Sequence, residues 1–235
     1  MIKSINLCER KLSNVTTDTH AWQAYPQHRR YFNKLDLALR LGHDAGPCGT
    51  APEEVGEYIV RPTYNLEGMS LGAKYSKLGP HSGPFLNPGE FWCEKFNGSH
   101  ISIDYKWELN PDLLDREQMT LRPIFACQGF RTSPHLYRFS AWRKITPPIF
   151  KLPAFLRELD NVTDINIEFI GGNIIEIHLR PNGNFPNDAI DIIPIWSDDG
   201  SAHIEMFEAR GWKWQPSFED AAGHMKINRL GFMYR

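Results

Sequence analysis

The sequence contains few cysteines, and none of them are paired in a motif. The four cysteines, Cys8, Cys48, Cys93 and Cys127, are scattered along 235 residues without a CxxC pair. Neither a disulfide framework nor a zinc knuckle is therefore predicted, and we expect reduced thiols. The sequence also has no internal repeat and no low-complexity tract, so a solenoid or a disordered linker is not expected.

Long apolar runs are also missing. No run approaches the roughly 20 residues that a membrane-spanning helix needs. The opening segment, MIKSINLCERKL, is charged where a signal peptide would be apolar. We therefore expect a cytoplasmic protein without a membrane partner. The formal net charge is only -2, so a nucleic-acid partner is not indicated.

Hydrophobic residues, in contrast, are plentiful. They make up 41% of the chain, which is enough for a substantial core in one large domain or in two closely packed lobes. A helix is predicted over Arg30–Leu41, where apolar residues recur at helical spacing and Gly42 can end the helix in a left-handed conformation. A second, short helix is predicted over Pro153–Leu159.

Several strands are predicted as well. The clearest spans Ile101–Leu109, where apolar and polar side chains alternate. A short buried strand is predicted at Tyr58–Val60 because these residues have high β-propensity. Further strands are predicted at Leu121–Cys127 and Leu136–Trp142. This mixture of helices and strands predicts an α+β protein.

Two β-prone runs on either side of a Gly-Gly pair predict a hairpin. The runs are Asp164–Ile170 and Asn173–Arg180. In the second run, alternation places Glu176, His178 and Arg180 on one face. One interpretation is that this face binds a metal ion and a phosphate, and the other is an ordinary strand with a solvated polar face.

Whether Glu168 joins this face depends on the hairpin loop. A three-residue loop, Gly171–Asn173, pairs Glu168 with Glu176 and Asn166 with His178, whereas a two-residue loop places Glu168 on the opposite face. Two carboxylates directly across a sheet repel each other, so a shared cation would explain such a pair. Mg²⁺ prefers oxygen ligands and is therefore the candidate ion.

A glycine-rich stretch follows the strand at residues 58–60. Gly68, Ser70 and Gly72 lie in a segment whose backbone N–H groups could wrap phosphates. The segment is not a Walker loop, because the Gly-Lys-Ser/Thr ending is missing. An ordinary surface loop is the other interpretation.

Taken in order, four segments resemble the ATP-grasp superfamily over roughly residues 33–182. Asn33-Lys34 resembles the opening of the family's lysine-bearing helix. The segment Tyr58–Pro62 resembles the strand that usually ends in Val-Lys-Pro before the phosphate flap, with Arg61 in place of lysine. Arginine keeps the charge but replaces a compact ammonium with a planar fork.

The other two segments resemble the adenine-binding hinge and the last hairpin of the family. Phe91–Phe96, followed by Gly98 and an alternating strand, is similar to the hinge. The segment Ile167–Phe169 together with Glu176–Asn182 is similar to the hairpin that carries an acidic residue and a Glu-x-Asn-x-Arg-Pro motif. His178 stands where that motif has asparagine.

The resemblance implies a fold and a set of site residues. The fold would be ATP-grasp, with two α+β lobes whose antiparallel sheets clasp ATP between them. The implied ATP contacts are Lys34, Arg61, Gly68, Ser70, Gly72, Glu94, Lys95, Phe96 and His100, the last at the ribose position. The implied Mg²⁺ ligands are Glu168, Glu176, His178 and Asn182, and Arg61 and Arg180 would act on the transferred phosphoryl group.

The resemblance also implies an activity and a domain organisation. ATP would phosphorylate a substrate carboxylate, and an amine or a similar nucleophile would attack the resulting acyl-phosphate. The acceptor could be a small amine, a macromolecular side chain or a group on a partner protein. Residues 1–29 would form an N-terminal extension, 30–187 the two-lobed domain, and 188–235 its C-terminal part, a candidate lining for the acceptor site.

Two other functions stay open at this point. His178 and Arg61 at motif positions are compatible with a noncatalytic nucleotide-binding subunit. A structural or partner-binding β-rich protein would use the aromatic residues as core and the polar strand faces as solvated surface.

Overall fold

The computed structural model describes most of the chain. The described residues are 15–67, 70–82, 86–109, 119–131, 135–159, 161–183, 185–186, 188–216 and 228–235. Among them, no helix has the length and apolar character needed to cross a membrane. The described strands form two antiparallel sheets, one of four strands and one of eight.

The smaller sheet has the strand order β1-β4-β2-β3. Its strands are β1 (Ala45–Pro47), β2 (Gly56–Pro62), β3 (Lys74–Leu78) and β4 (Glu90–Glu94). The predicted strand at Tyr58–Val60 is thus confirmed within β2. Tyr58 and Val60 are buried with Trp92, as expected for apolar side chains that alternate along one face of a strand.

The larger sheet has the strand order β11-β12-β10-β7-β6-β5-β8-β9. Its strands are β5 (His100–Leu109), β6 (Met119–Phe130), β7 (Ala141–Ile145), β8 (Asp164–Ile170), β9 (Asn173–His178), β10 (Asp191–Trp196), β11 (Lys213–Pro216) and β12 (Arg229–Tyr234). The predictions at Ile101–Leu109 and Leu121–Cys127 are confirmed within β5 and β6. The chain passes from the smaller to the larger sheet between β4 and β5, through the linker Lys95–Ser99.

The strand predicted at Leu136–Trp142 is displaced. Ladder pairing begins only at Ala141, where β7 starts. Before it, Tyr137 packs edge-on against Trp196, and Arg138 forms an ion pair with Asp198. These contacts with a distant part of the chain replace the strand that local propensity favours.

Five helical segments accompany the sheets in the described residues. They are α1 (Asp18–Ala24), a 3₁₀ helix at Pro26–Phe32, α2 (Lys34–Arg40), a 3₁₀ helix at Ala154–Glu158, and α3 (Ser201–Glu208). The short helix predicted over Pro153–Leu159 is thus confirmed as a 3₁₀ helix.

The prediction of one continuous helix over Arg30–Leu41 is wrong at Asn33. Asn33 has an extended ψ of 99° and caps α2, its side-chain oxygen accepting a hydrogen bond from the backbone N–H of Asp36 at 2.9 Å. Asparagine favours this capping position over a helix interior. Gly42, with φ of 75°, ends α2 as predicted.

The main core lies between the larger sheet and the first helices. Ala21, Tyr31, Ile103, Leu159 and Ile165 belong to one buried cluster. The described part of the predicted N-terminal extension, residues 15–29, therefore packs against the larger sheet. Strands β10, β11 and β12, from the predicted C-terminal part, belong to that same sheet.

The hairpin of β8 and β9 differs in detail from the prediction. Ile170 pairs with Asn173, so the turn has two residues, Gly171 and Gly172, which is the second of the two alternatives that the sequence left open. Glu168 nevertheless pairs with Glu176, because the register shifts between Glu168 and Phe169. This shift leaves Ile175 as an extra residue in β9, a β-bulge.

Candidate functional site

A cavity of about 350 Å³ is lined by residues of both sheets and by the linker that joins them. This size is sufficient for a small organic ligand. The lining includes seven of the site residues predicted from the sequence, namely Arg61, Ser70, Glu94, Lys95, Phe96, His100 and Glu176. The two sheets thus bring together side chains that lie far apart in the sequence.

The end of the hinge segment Phe91–Phe96 is held in place by contacts on both sides. The carboxylate of Glu94 accepts a hydrogen bond from the backbone N–H of Asp44 at 3.0 Å. Phe96 packs edge-on against His43, with ring centroids 4.7 Å apart, and Lys95 donates to Glu57 at 2.6 Å. These contacts fix Glu94, Lys95 and Phe96, all of which line the cavity.

A buried ion cluster connects the two sheets. Oε1 of Glu176 in β9 accepts hydrogen bonds from Nζ of Lys34 at 2.6 Å and from Nη1 of Arg61 at 3.0 Å. Arg61 also donates from Nη2 to the carbonyl of Ile175 at 3.0 Å. Burial alone would raise the pKa of Glu176, but Lys34 and Arg61 outweigh it and lower that pKa. Glu176 is therefore a carboxylate with one oxygen engaged by two cations.

The other oxygen of Glu176 faces a second acid and a histidine. Glu168, Glu176 and His178 each offer a ligand atom, and these atoms lie within 4.8 Å of one another. Nε2 of His178 is 3.4 Å from Oε2 of Glu176 and 3.8 Å from Oε1 of Glu168. Glu176 and His178 are buried, so the interpretation of this face as a solvated one is wrong.

Asp18, which the sequence did not single out, lies behind His178. Its carboxylate is 2.9 Å from Nδ1 of His178 and accepts hydrogen bonds from Nε and Nη2 of Arg180 at 2.9 and 3.1 Å. Although burial raises the pKa of Asp18, His178 and Arg180 hold it well below its usual range. Burial would likewise lower the pKa of His178, yet Asp18 raises it overall. A helix N-terminus after Thr17 was readable from the sequence, but nothing there indicated contact with residue 178.

Arg180 was predicted to contact the transferred phosphoryl group. In the structure its third nitrogen, Nη1, donates to the carbonyl of Pro181, and the guanidinium is otherwise paired with Asp18. Arg180 is not among the described residues that line the cavity. The role of Arg180 at the transferred phosphoryl group stays a prediction.

His100 is held between two charged groups. Nε2 lies 3.0 Å from Oε2 of Glu168, and Nη2 of Arg131 lies 3.0 Å from Nδ1. An arginine cannot accept a hydrogen bond, so Nδ1 accepts and Nε2–H donates to Glu168. Burial raises the pKa of Glu168, but His100, His178 and Lys34 lower it to about 2. Arg131 also lines the cavity, and the sequence did not single it out.

The remaining predicted residues lie around this centre. Ser70 and Gly72 adopt positive φ values of 52° and 76°, as a tight glycine-rich turn requires, while Gly68 lies outside the described residues. The side-chain amide of Asn182 donates to Ser102 at 3.3 Å, and its backbone N–H donates to Asp104 at 2.9 Å. The assignment of Asn182 as a metal ligand stays a prediction.

No family model matches the chain, and no curated protein matches it in sequence. Solved structures do share its fold. One is N5-carboxyaminoimidazole synthetase from Staphylococcus aureus complexed with ADP, with a TM-score of 0.56 and 10% identity over 87% of this chain and 67% of that one. Another is an ADP complex of N5-carboxyaminoimidazole ribonucleotide synthetase, with a TM-score of 0.54 and 10% identity over 90% of this chain and 71% of that one.

This chain thus spans about two thirds of the length of the Staphylococcus aureus synthetase. At such low identity the likeness defines the fold and nothing finer. The predicted α+β class, with two lobes built on antiparallel sheets, is confirmed. Two antiparallel sheets joined by a hinge, a cavity between them and these structural neighbours together show that the chain has the ATP-grasp fold.

Proposed function

We propose that the chain is an ATP-dependent ligase that joins a carboxylate to an amine or a similar nucleophile in the cytoplasm. The observation that carries this proposal is the composition of the cavity. The hinge residues Glu94, Lys95 and Phe96 line the same cavity as Arg61 and Glu176. One space therefore offers a surface for a planar base and a charged region for phosphates.

The cationic side chains would bind and neutralise phosphate oxygens. Phosphoryl transfer depends mainly on positioning and on charge compensation rather than on a general base. Lys34 from α2 and Arg61 from β2 both donate to Glu176, so a polyphosphate bound beside them would compete with this carboxylate for them. The glycine-rich turn at Ser70 and Gly72 would cover the phosphates and exclude water, which would otherwise hydrolyse an acyl-phosphate.

The donor set beside these cations fits a divalent metal ion. Glu168, Glu176 and His178 would hold it, since their ligand atoms already face one another. Bound there, Mg²⁺ would offset negative charge on the nucleotide. The carboxylates of Glu168 and Glu176 are ionised, as their lowered pKa values indicate, and so are ready to act as ligands.

A noncatalytic nucleotide-binding subunit is the second candidate. The specific observation in its favour is the pairing of Arg180 with Asp18, which holds this arginine away from the described cavity lining. Such a protein would bind ATP in the same cavity without turnover. A broad screen of carboxylates and amines for ADP and phosphate release distinguishes the two functions.

The first test is thermal unfolding with Mg²⁺ and each of ATP, ADP, GTP or no nucleotide. A ligand that binds only the folded state raises its apparent stability by RT ln(1 + [L]/Kd), about 2.7 kcal/mol at a hundredfold excess over Kd. We expect a rise with ATP and ADP that Glu176→Ala abolishes relative to its own nucleotide-free baseline. Glu108→Ala, an exposed position on β5, is the matched control and should retain the rise.

The outcomes separate the candidate functions. A nucleotide-induced rise together with acceptor-dependent phosphate release supports a ligase. The same rise without turnover across the screen favours the noncatalytic subunit. The absence of a rise with any nucleotide would contradict both and leave a structural or partner-binding protein with this fold.

A further inference from the structure

His178 gives the metal site a nitrogen atom that the related motif lacks. The motif that the sequence resembles has an amide side chain at this position, whereas the chain has an imidazole. Nε2 of that imidazole points toward the two carboxylates, 3.4 Å from Glu176 and 3.8 Å from Glu168. His178 is 7% exposed, so its ring cannot turn away into solvent without disturbing the core.

Asp18 determines which nitrogen of His178 faces the carboxylates. Its oxygens lie 2.9 and 3.0 Å from Nδ1, so Nδ1 carries the hydrogen of this bond and Nε2 is turned to the site. A carboxylate commonly accepts the N–H of a metal-bound imidazole, because this bond fixes the ring and increases the basicity of the other nitrogen. Arg180 in turn holds Asp18 through two hydrogen bonds.

Lys34 and Arg61 limit which carboxylate oxygen of Glu176 can bind a metal ion. Oε1 is occupied by Lys34 and Arg61, which leaves Oε2 for a metal. Glu168 faces His178 with Oε1 while Oε2 is engaged by His100. The three atoms that converge are therefore two carboxylate oxygens and one imidazole nitrogen.

Such a mixed set suits a different ion from an all-oxygen set. Mg²⁺ demands oxygen ligands in near-ideal octahedral geometry, whereas imidazole suits ions such as Fe²⁺, Ni²⁺ and Zn²⁺. We propose that His178 is a metal ligand oriented by Asp18 and that this site takes a divalent transition ion in preference to Mg²⁺, with Mn²⁺ as its paramagnetic probe. This inference rests on the proposed nucleotide-binding function and names the metal class of the same site.

The experiment uses Mn²⁺ with ADP as the probe and needs no turnover. Pulsed electron paramagnetic resonance of the Mn²⁺·ADP complex detects nitrogen nuclei bonded to the metal. We expect a nitrogen modulation that changes when the protein is labelled with ¹⁵N-histidine, which separates a protein nitrogen from those of adenine. The signal should disappear in His178→Asn and persist in His203→Asn, a control at an exposed histidine on α3.

Metal affinities measured by titration calorimetry in the presence of ADP provide a second readout. Asp18→Asn is expected to weaken Mn²⁺ binding about 10- to 100-fold, the usual effect of losing the carboxylate that orients a metal-bound histidine. The same change should affect Mg²⁺ much less. In His178→Asn the ratio of Mn²⁺ to Mg²⁺ affinity should fall about tenfold or more, because its donors are then all oxygen.

The results distinguish this inference from the function on which it rests. A complex that forms with ADP but shows no histidine nitrogen, or keeps the signal in His178→Asn, overturns the inference and leaves the nucleotide-binding function intact. If no Mn²⁺·ADP or Mg²⁺·ADP complex forms with the wild-type protein, both are overturned. The wild-type spectrum decides the question even if a variant does not fold.

Discussion

Glu176 forms the ion pair that connects the two sheets. It lies in β9 of the larger sheet, while Arg61 comes from β2 of the smaller one and Lys34 from the start of α2. The three charges are buried, with side-chain exposures of 9% to 12%. Removing one member of such a group leaves the others as uncompensated buried charges.

Glu176→Gln should therefore destabilise the nucleotide-free protein. Glutamine keeps the shape but removes the negative charge that Lys34 and Arg61 share, and we expect the free energy of unfolding to fall by about 3 kcal/mol. Urea unfolding measures the change. Glu108→Gln is the control, because Glu108 and Arg122 form an exposed pair, which contributes about 0–1 kcal/mol. Equal effects of the two substitutions would contradict the burial argument.

At the scale of elements, the β8–β9 hairpin determines the composition of the metal site. Its two-residue turn alone would place Glu168 and Glu176 on opposite faces. The extra residue Ile175 restores the register so that both carboxylates lie on one face. The carbonyl of Ile175 also accepts the hydrogen bond from Arg61. The bulge therefore both aligns the two carboxylates and fixes the guanidinium that binds Glu176.

The turn of this hairpin gives a matched pair of substitutions. Gly171 and Gly172 both have positive φ, 58° and 89°. A Cβ atom on Gly171 would overlap the backbone oxygen of Asn97 in the linker, whereas one on Gly172 would meet only Phe150 at 3.7 Å. Backbone strain is common to the two sites, so their difference reports the close approach to the linker.

We expect Gly171→Ala to lower the free energy of unfolding by about 2 kcal/mol more than Gly172→Ala. Urea unfolding of both variants checks this difference. A similar loss of unfolding free energy in both variants would mean that the backbone at Asn97 moves aside at little cost. The hairpin would then not constrain the linker.

Asp191, at the start of β10, is joined by ion pairs to two other segments. Its carboxylate accepts hydrogen bonds from Arg143 in β7 at 2.6 Å and from Arg235 after β12 at 3.3 Å. Burial raises the pKa of Asp191, but these arginines outweigh it and lower that pKa below 3.8. The ion pairs therefore stabilise the fold above that pH, and the stabilisation is lost as the pH falls below it.

Asp191→Asn should lower the free energy of unfolding by about 1 kcal/mol near pH 7, where the carboxylate is ionised, and by less near pH 3. Urea unfolding at both pH values measures this difference. Asp188→Asn is a suitable control, since Asp188 pairs with Lys213 on the surface and water screens that pair. A cost that does not depend on pH would show that Asp191 acts through packing alone.

At the scale of the whole molecule, the cavity depends on both sheets at once. Arg61 comes from the smaller sheet, His100 and Glu176 come from the larger sheet, and all three line it. A bound nucleotide would therefore contact both lobes and restrict their relative motion. Strands β11 and β12 occupy the far edge of the larger sheet, away from β8 and β9.

Hydrogen exchange should show this coupling. With ADP and a divalent ion, we expect amides in β2 and in the β8–β9 hairpin to exchange about tenfold more slowly, while β11 and β12 remain unchanged. Mass spectrometry of peptic fragments measures both regions in one experiment. Protection confined to one lobe would contradict a ligand held between the sheets.

The sequence by itself determined the α+β class, five of the twelve described strands and the alignment of Glu176 with His178, because side-chain alternation is a local property of an extended chain. The resemblance to ATP-grasp proteins added the order of the segments, and the fold agrees with it. Local signals were wrong where a cap interrupted a helix at Asn33 and where distant contacts displaced a strand before Ala141.

Only the tertiary structure decided what covers the polar face of β9. Lys34 reaches Glu176 across 142 residues and Asp18 reaches His178 across 160. Periodicity shows which side chains share a face, but it does not reveal which remote segment packs on that face. That choice depends on how the helices and both sheets bury their apolar surfaces together, and it is this packing that turned a strand with ordinary polar residues into a candidate metal and phosphate site.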